Sequence, residues 1–352
     1  MTISPVAATP AGSPGIARRP RGLVVMGSTH FGDLFDASRL ARLRTLADIR
    51  GPLPGARFDA PGAAAELAAA EILVTGWGSP PLTEQVLAAA PNLRAVFYAG
   101  GSVKHHVHAS GWERGLIVTS AATANATPVA EFALATILLE GKRTRQYVEG
   151  YRIHRDGDDR WRRAIAPTVN LGGTVGIVGL SRVGRRLAEL LRPFDFEVLA
   201  ADPTTDAPQA AALGVELVPL DDLLRRSDIV SLHAPELPET RGLIDRRRLG
   251  LLRDDAVLVN TARGALVDTD ALVDACRHGR IRAVLDVTEP EPLPASSPLY
   301  DLPAVQLTPH IAGAMHGETH RLADSTLDDL ERYAAGLPLH WAVDAAGLDL
   351  LA

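Results

Sequence analysis

"TVGIVGLSRVG", residues 174–184, decides how the rest of the chain is read. Thr174–Val178 is a short apolar run and reads as a buried strand. Gly179 makes a tight turn at its end, and Gly184 lets the following helix approach the sheet. The spacing is that of G-x-G-x-x-G, a turn that aims backbone N–H groups and a helix N-terminus at a pyrophosphate. Ser181 stands where the pattern has its middle glycine. Its hydroxyl is a further donor to a phosphate oxygen, and its Cβ carries a cost only if φ there is positive.

The surroundings favour a cofactor turn. Eighteen residues beyond Gly184 stands Asp202, at the end of the next strand pattern, "EVLAADP". An acid at this place accepts hydrogen bonds from the adenosine ribose and repels a 2′-phosphate. Pro203, Thr204 and Thr205 supply no arginine to such a phosphate. NAD rather than NADP is the expected cofactor.

From this turn outward, strands at 174–178, 196–201, 228–232, 256–260, 282–286 and 305–307 alternate with helices such as 183–193, 220–226 and 268–279. That rhythm predicts a doubly wound parallel sheet. The first part of the chain repeats it with strands at 23–26, 72–75, 95–98 and 116–118. Between the two, Pro128–Gly150 reads as one long helical segment. The charged stretch "YRIHRDGDDRWRR" after it reads as a solvated arm or a subunit contact. A chain of 352 residues with two such regions is expected to form two α/β domains.

The residues are 46% hydrophobic and 22% charged, and the net charge of −6 does not favour a polyanion such as nucleic acid as a partner. No apolar run approaches the ~20 residues a bilayer span needs, so no membrane partner is expected. Residues 1–20, rich in Pro, Ala, Gly and Ser, are expected to form a disordered extension without an export signal. The single cysteine, Cys276, reads as a packing residue and fits a reducing compartment, so the cytoplasm is the expected location. His105, His106 and His108, and the pair His316 and His320, lack a completing acid or cysteine set. They read as surface histidines, and no metal is expected.

Three later stretches matter together: "VNTARGALVDTDAL" (259–272), "AVLDVTEPEPL" (283–293) and "LTPHIAGAM" (307–315). Each follows or ends a strand, and strand C-termini line the ligand crevice of a doubly wound fold. Arg263, Glu291 and His310 are thereby delivered to one sheet edge. Arg263 suits a carboxylate or its neighbouring carbonyl. His310 suits proton exchange with the oxygen as hydride moves, and Glu291 beside it would orient the ring and favour its charged form. Taken singly, the three also read as a strand cap, a loop acid and a loop histidine. Their coincidence beside a cofactor turn favours the chemical reading.

The ordered motifs "TPVAEFAL", "GGTVGIVGLSRVGRRLAELL", the acid of "AADP", "SDIVSLHAPELPETRGLID", "NTARGALVD", "LDVTEPEPL" and "TPHIAGA" resemble those of the NAD-dependent D-isomer-specific 2-hydroxyacid dehydrogenases. The resemblance runs from about residue 70 to 340. It implies a Rossmann-type sheet inserted into a smaller, flavodoxin-like substrate domain. The substrate domain would span 21–125 and 316–352, the dinucleotide domain 126–315, with a homodimer contact near 128–165. It implies Arg263, Glu291 and His310 as the catalytic set, and Arg182 and Val183 at the pyrophosphate beside Gly179, Ser181 and Gly184. Asp202 would hold the ribose. Ala234, Pro235, Thr240, Thr261, Ala262, Asp286, His310 and Gly313 would line the rest of the cofactor site. The implied activity is hydride transfer between NAD and a small 2-hydroxy or 2-oxo acid.

The family's glycine-rich substrate loop often ends in Gly-Val-Asp, whereas this chain has "YAGGSVKHHV". Gly100, Gly101 and Val103 still offer backbone N–H groups to a carboxylate. Lys104 reads either as an aid to anion binding or as a solvated lysine. Trp77 reads as a wall of the substrate pocket or as a packed loop anchor. His233 is a lesser contender for acid–base work. A rival reaction, formate oxidation, is disfavoured by Glu291. A rival class, an NAD(H)-sensing regulator or scaffold that keeps the fold, stays open.

Overall fold

The computed structural model describes residues 19–52, 57–155, 160–345 and 348. The expected extension 1–20 thus lies outside the described residues except for Arg19 and Pro20, and so do residues 156–159 of the charged arm. Contacts group the chain into two compact units, Met1–Ala121 with His320–Val343, and Ala122–Thr319 with Asp344–Ala352. The crossings fall at 121/122, 319/320 and 343/344, where the sequence reading set only two, at 125/126 and 315/316, and kept the tail to 352 in the first unit. The helix Ala122–Gly141 starts ahead of Pro128 and carries the first crossing back with it.

The first unit holds β1 (Arg21–Val25), β2 (Asp48–Arg50), β3 (Ile72–Gly76), β4 (Ala95–Ala99) and β5 (Ile117–Ser120). They form one parallel sheet in the order β2-β1-β3-β4-β5, the flavodoxin-like order. β3 is buried along its whole length, as an apolar run covered on both faces should be. The helix His320–Ala334 buries Leu322, Ala323, Leu327 and Leu330. Tyr333 meets Phe97 of β4 edge-on at 5.6 Å, and Arg39 grips Asp324 through two bonds of 2.9 and 2.8 Å. The tail then pairs with β5: Ala342 bridges Thr119 antiparallel, and Val343 N donates to Val118 O at 2.8 Å.

The second unit holds β6 (Thr174–Val178), β7 (Glu197–Ala201), β8 (Glu216–Leu217), β9 (Ile229–Leu232), β10 (Val257–Asn260), β11 (Arg282–Leu285) and β12 (Val305–Leu307). Their order, β12-β11-β10-β9-β6-β7-β8, is the Rossmann order with one added edge strand. Alternation along β10 divides the core. Val257 and Val259 pack in the layer that contains Ile177 and Leu187, while Leu258 packs in the layer of Val230 and Leu285.

Two readings of the sequence change here. The segment 128–150 is not one helix. Ala122–Gly141 ends and Thr144–Ile153 begins across Arg143, whose φ is 60°. The Arg143 guanidinium fastens the break by donating to Pro167 O at 3.2 Å and to Asp255 O at 3.0 Å. Ala122–Gly141 also has the length and apolar composition of a bilayer span, contrary to the reading of the apolar runs. In this fold it buries Ala130, Ala133 and Ile137 against the layer built from Ile177 and Leu187.

Candidate active site

β6 and β9 are neighbours at the point where the strand order reverses, so the loops after them border the crevice in which such sheets bind ligands. Gly179 has φ of 91°, and a Cβ on it would lie 2.6 Å from Ala234 N in the loop after β9. A Cβ on Gly184 would lie 2.1 Å from Gly179 O. Both glycines are required by close approach. Ser181 is different: φ is −65° and ψ is −174°, extended backbone open to any residue, so the feared cost of its Cβ does not arise. It precedes the helix Arg182–Leu191, and its Oγ is buried without a hydrogen-bond partner. Thr261 Oγ1 is likewise buried and unpartnered. Leaving such a group unmade costs about 1–3 kcal/mol, so both hydroxyls suit a site completed by a ligand's oxygens.

Asp202, just after β7, accepts from Leu180 N at 2.6 Å, from Thr204 N at 2.8 Å and from Thr204 Oγ1 at 2.7 Å. Burial works to raise its pKa, but the hydrogen bonds from Thr204 and Leu180 outweigh it and hold the carboxyl below its ordinary value. The acid is thus fixed, charged, beside the turn. A cavity of about 640 Å³ opens there. Gly179, Ser181, Asp202, Ala234, Pro235 and Thr240 line it. Arg182, Val183, Gly184, Thr261, Ala262, Asp286, His310 and Gly313 do not. Its apolar wall, Val218, Leu220, Leu237 and Leu243, was not read from the sequence, because no periodicity marks residues drawn from two loops and the start of the helix Leu220–Arg226. Glycines that a Cβ would fill, orphaned hydroxyls and a fixed acid beside an apolar slot together fit a dinucleotide.

Arg263 follows β10, with φ of −144°. Asn260, the last residue of β10, braces its turn: Nδ2 donates to Arg263 O at 2.8 Å and Oδ1 accepts from Ala262 N at 3.0 Å. Arg263 NH1 donates to Ala262 O at 2.6 Å. A Cβ on Gly264 would stand 2.0 Å from the carbonyl carbon of Thr288, so this turn lies directly against the loop that leads to Glu291. Neither Asn260 nor Gly264 was singled out from the sequence.

His310 Nδ1 lies 2.6 Å from Glu291 Oε1. His310 has φ of 55°, an uncommon conformation for a residue with a side chain. Its N–H donates to Asp286 O and to Thr308 O, each at 3.0 Å. Asp286, 2% exposed, receives the rest of this loop: Thr308 Oγ1 at 2.6 Å, Ile311 N at 2.8 Å and Ala312 N at 2.9 Å. Its carboxylate therefore shapes the strained His310 turn. Beyond it, Ala314 N donates to Asn125 Oδ1 at 2.9 Å, and Gly313 packs on the same amide. A second cavity, of about 620 Å³, is lined by Asp286, Thr288, Glu291, Tyr300, Leu307 and His310, and Arg263 is not among its walls. An imidazole with one nitrogen on a carboxylate and its ring half open to solvent can pass a proton at the other nitrogen.

Other titratable groups are placed elsewhere. His233 is fully buried on Ser231 Oγ at 2.8 Å, and burial pushes its pKa down to about 3. It is neutral and out of contention as an acid. Burial pushes the Cys276 thiol up to about 11, in keeping with a packing role. In the first unit, Trp77 follows β3 and meets His30 edge-on at 6.0 Å. Gly100, Gly101 and Val103 follow β4. His106 is not a surface histidine: it is 7% exposed, with Nε2 2.9 Å from Thr75 Oγ1. His108 is exposed and accepts from Ser110 N at the start of the helix Ala109–Glu113.

Residues 137–312 match the family model described as D-isomer specific 2-hydroxyacid dehydrogenase, NAD binding domain. The chain belongs to this family. A D-3-phosphoglycerate dehydrogenase of Mycobacterium leprae is 39% identical over 267 residues, covering 75% of this chain and 49% of that protein. This chain thus spans about half the length of that relative. A glyoxylate reductase of Korarchaeum cryptofilum is 37% identical over 263 residues, covering 73% of this chain and 77% of that one. Among solved structures, the TT0316 protein of Thermus thermophilus superposes with a TM-score of 0.71 at 31% identity, covering 92% of this chain and all of that one. The Rossmann-type unit described above is therefore the family's NAD-binding domain.

Proposed function

We propose that this 2-hydroxyacid dehydrogenase family member is an enzyme that moves hydride between NAD and a small 2-hydroxy acid or its 2-oxo partner. The observation that carries the reading is the 2.6 Å contact between His310 Nδ1 and Glu291 Oε1. Gly179, Ser181 and Gly184 would hold the pyrophosphate with Arg182, which has no ion pair among the described residues, and Val183 beside it. Asp202 would hold the ribose, and its charge favours NAD over NADP. Ala234, Pro235, Thr240, Thr261, Ala262 and Gly313 would border the remainder.

Bound nicotinamide supplies the hydride in reduction and receives it in oxidation. Glu291 accepts a hydrogen bond from Nδ1–H of His310, which fixes the ring and leaves Nε2 for the substrate. In reduction Nε2–H protonates the carbonyl oxygen, and in oxidation the freed Nε2 takes the hydroxyl proton. Arg263 pairs with the substrate carboxylate, a charge-assisted contact that orients the reacting carbon. Asp286 keeps the His310 turn in its unusual conformation.

The test is NADH consumption by the purified chain with a panel of 2-oxo acids that includes glyoxylate, pyruvate and hydroxypyruvate. Turnover of one or more supports the reading. NADH binding without turnover on any member overturns it in favour of a sensing role. A homodimer belongs to the same proposal. It is supported by the exposed apolar side chains of Val148, Tyr151 and Ile153 on the helix Thr144–Ile153, and is checked by sedimentation.

A further inference from the structure

The loop after β4 bears the backbone N–H groups that the sequence reading offered to a carboxylate, and its far end carries a histidine in the core of the first unit. His106 is 7% exposed and Thr75, its partner at 2.9 Å, is fully buried. The ring also lies 4.6 Å from the ring of Tyr98. Burial pushes the imidazole down to about 4, so it is neutral near pH 7 and has one N–H and one lone pair to satisfy. An apolar residue would fill the space without that requirement. What the polar pair adds is direction, since a buried hydrogen bond fixes both partners.

The pair joins two loops. Thr75 is the penultimate residue of β3 and stands two residues before Trp77. On the other side, His106 N donates to Val103 O at 2.9 Å and closes the loop on itself. Leu82 N donates to His106 O at 2.7 Å, and His108 N donates to Leu82 O at 3.1 Å, so the stretch beyond Trp77 is bound to the same residue. At the near end, Ser120 Oγ donates to Gly101 O, and Gly100 has no space for a Cβ over the Tyr98 ring. The segment 100–106 is thus pinned from β5 at one end and from β3 at the other.

We propose that His106 is a positioning residue: its bond to Thr75 sets the loop 100–104 against the Trp77 loop, so that the N–H groups around Gly101 and Val103 converge on the substrate carboxylate. This rests on the dehydrogenase reading above, together with the expectation from the sequence that the N–H groups of Gly100, Gly101 and Val103 are offered to the substrate carboxylate.

The deciding variant is Thr75→Val, which removes the hydroxyl and keeps the β-branched shape. His106→Leu removes the other partner, and His106→Gln restores a polar group at the reach of Nε2. Thr75→Val and His106→Leu are each expected to raise KM for the 2-oxo acid about tenfold, with kcat and KM for NADH within twofold of the parent. The double variant should be no worse than either single, and His106→Gln should recover most of the loss. Amide hydrogen exchange over 100–106 should quicken in Thr75→Val, a readout independent of turnover. Unchanged exchange, or KM unchanged in a folded Thr75→Val chain, overturns the inference. So do losses that multiply in the double variant. A parent chain without turnover overturns the functional reading instead, and the exchange result then decides whether the bond holds the loop.

Discussion

Glu291 and His310 meet at 2.6 Å although each stands on its own loop, after β11 and β12 respectively. If this pair passes the proton, His310→Ala should lower kcat by about 10²–10⁴-fold, the usual worth of a positioned acid–base group. NADH binding, followed by fluorescence, should be retained. Full activity in the variant would remove His310 from the mechanism.

Ser181 is the departure from the glycine pattern, and its geometry gives an unexpected direction. With φ of −65°, a glycine there gains no conformational advantage. Ser181→Gly, which restores the common motif, should therefore weaken NADH binding, by up to about tenfold, through loss of one donor. Tighter binding by titration calorimetry would show that the hydroxyl contributes nothing to the cofactor.

Asp202 is fixed by Leu180 N and Thr204. Asp202→Ala should reduce affinity for NADH more than for NADPH, because it removes both the ribose acceptor and the repulsion of a 2′-phosphate. Comparable losses for the two cofactors would reject the ribose assignment.

Gly264 has no room for a side chain, since its Cβ would meet Thr288 C at 2.0 Å. Gly264→Ala should cost about 1–3 kcal/mol in urea unfolding and depress activity. A variant as stable and active as the parent would mean that the two loops separate freely.

His106 makes stability depend on acidity. Its folded pKa of about 4 lies below the ordinary 6.5, so the unfolded chain binds the proton first as pH falls. Stability should accordingly be lost from about pH 6.5 down to about 4, by at most about 1.4 kcal/mol per pH unit from this group. In His106→Leu the urea-unfolding curve against pH should be flatter over that window. An unchanged slope would mean that His106 is not neutral in the folded chain.

The parallel strands were legible because burial on both faces writes them as continuous apolar runs, as in "VLVN" of β10. β2 escaped notice because Asp48–Arg50 is an edge strand with two exposed charged residues. The break at Arg143 was missed because its cause is tertiary: Pro167 and Asp255, distant in sequence, hold the arginine in place. A strand's end tells which residue follows it, so the places of Arg263, Glu291 and His310 after β10, β11 and β12 could be read, and of these the structure brings Glu291 and His310 together. The bracing by Asn260, the exclusion at Gly264 and the three bonds into Asp286 could not, since they are contacts between loops and leave no period in the chain. His106 was misread because a histidine among other histidines gives no sign of which one turns inward.

The backbone contact at Gly264 has an evolutionary corollary. With the arginine turn wedged against the stretch before Glu291, neither can drift in length or shape without moving the other, so the two loops are frozen as a block. On the proposed reading, new substrate preferences in descendants of this sequence should accumulate instead in the segments after β3 and β4, outside that block.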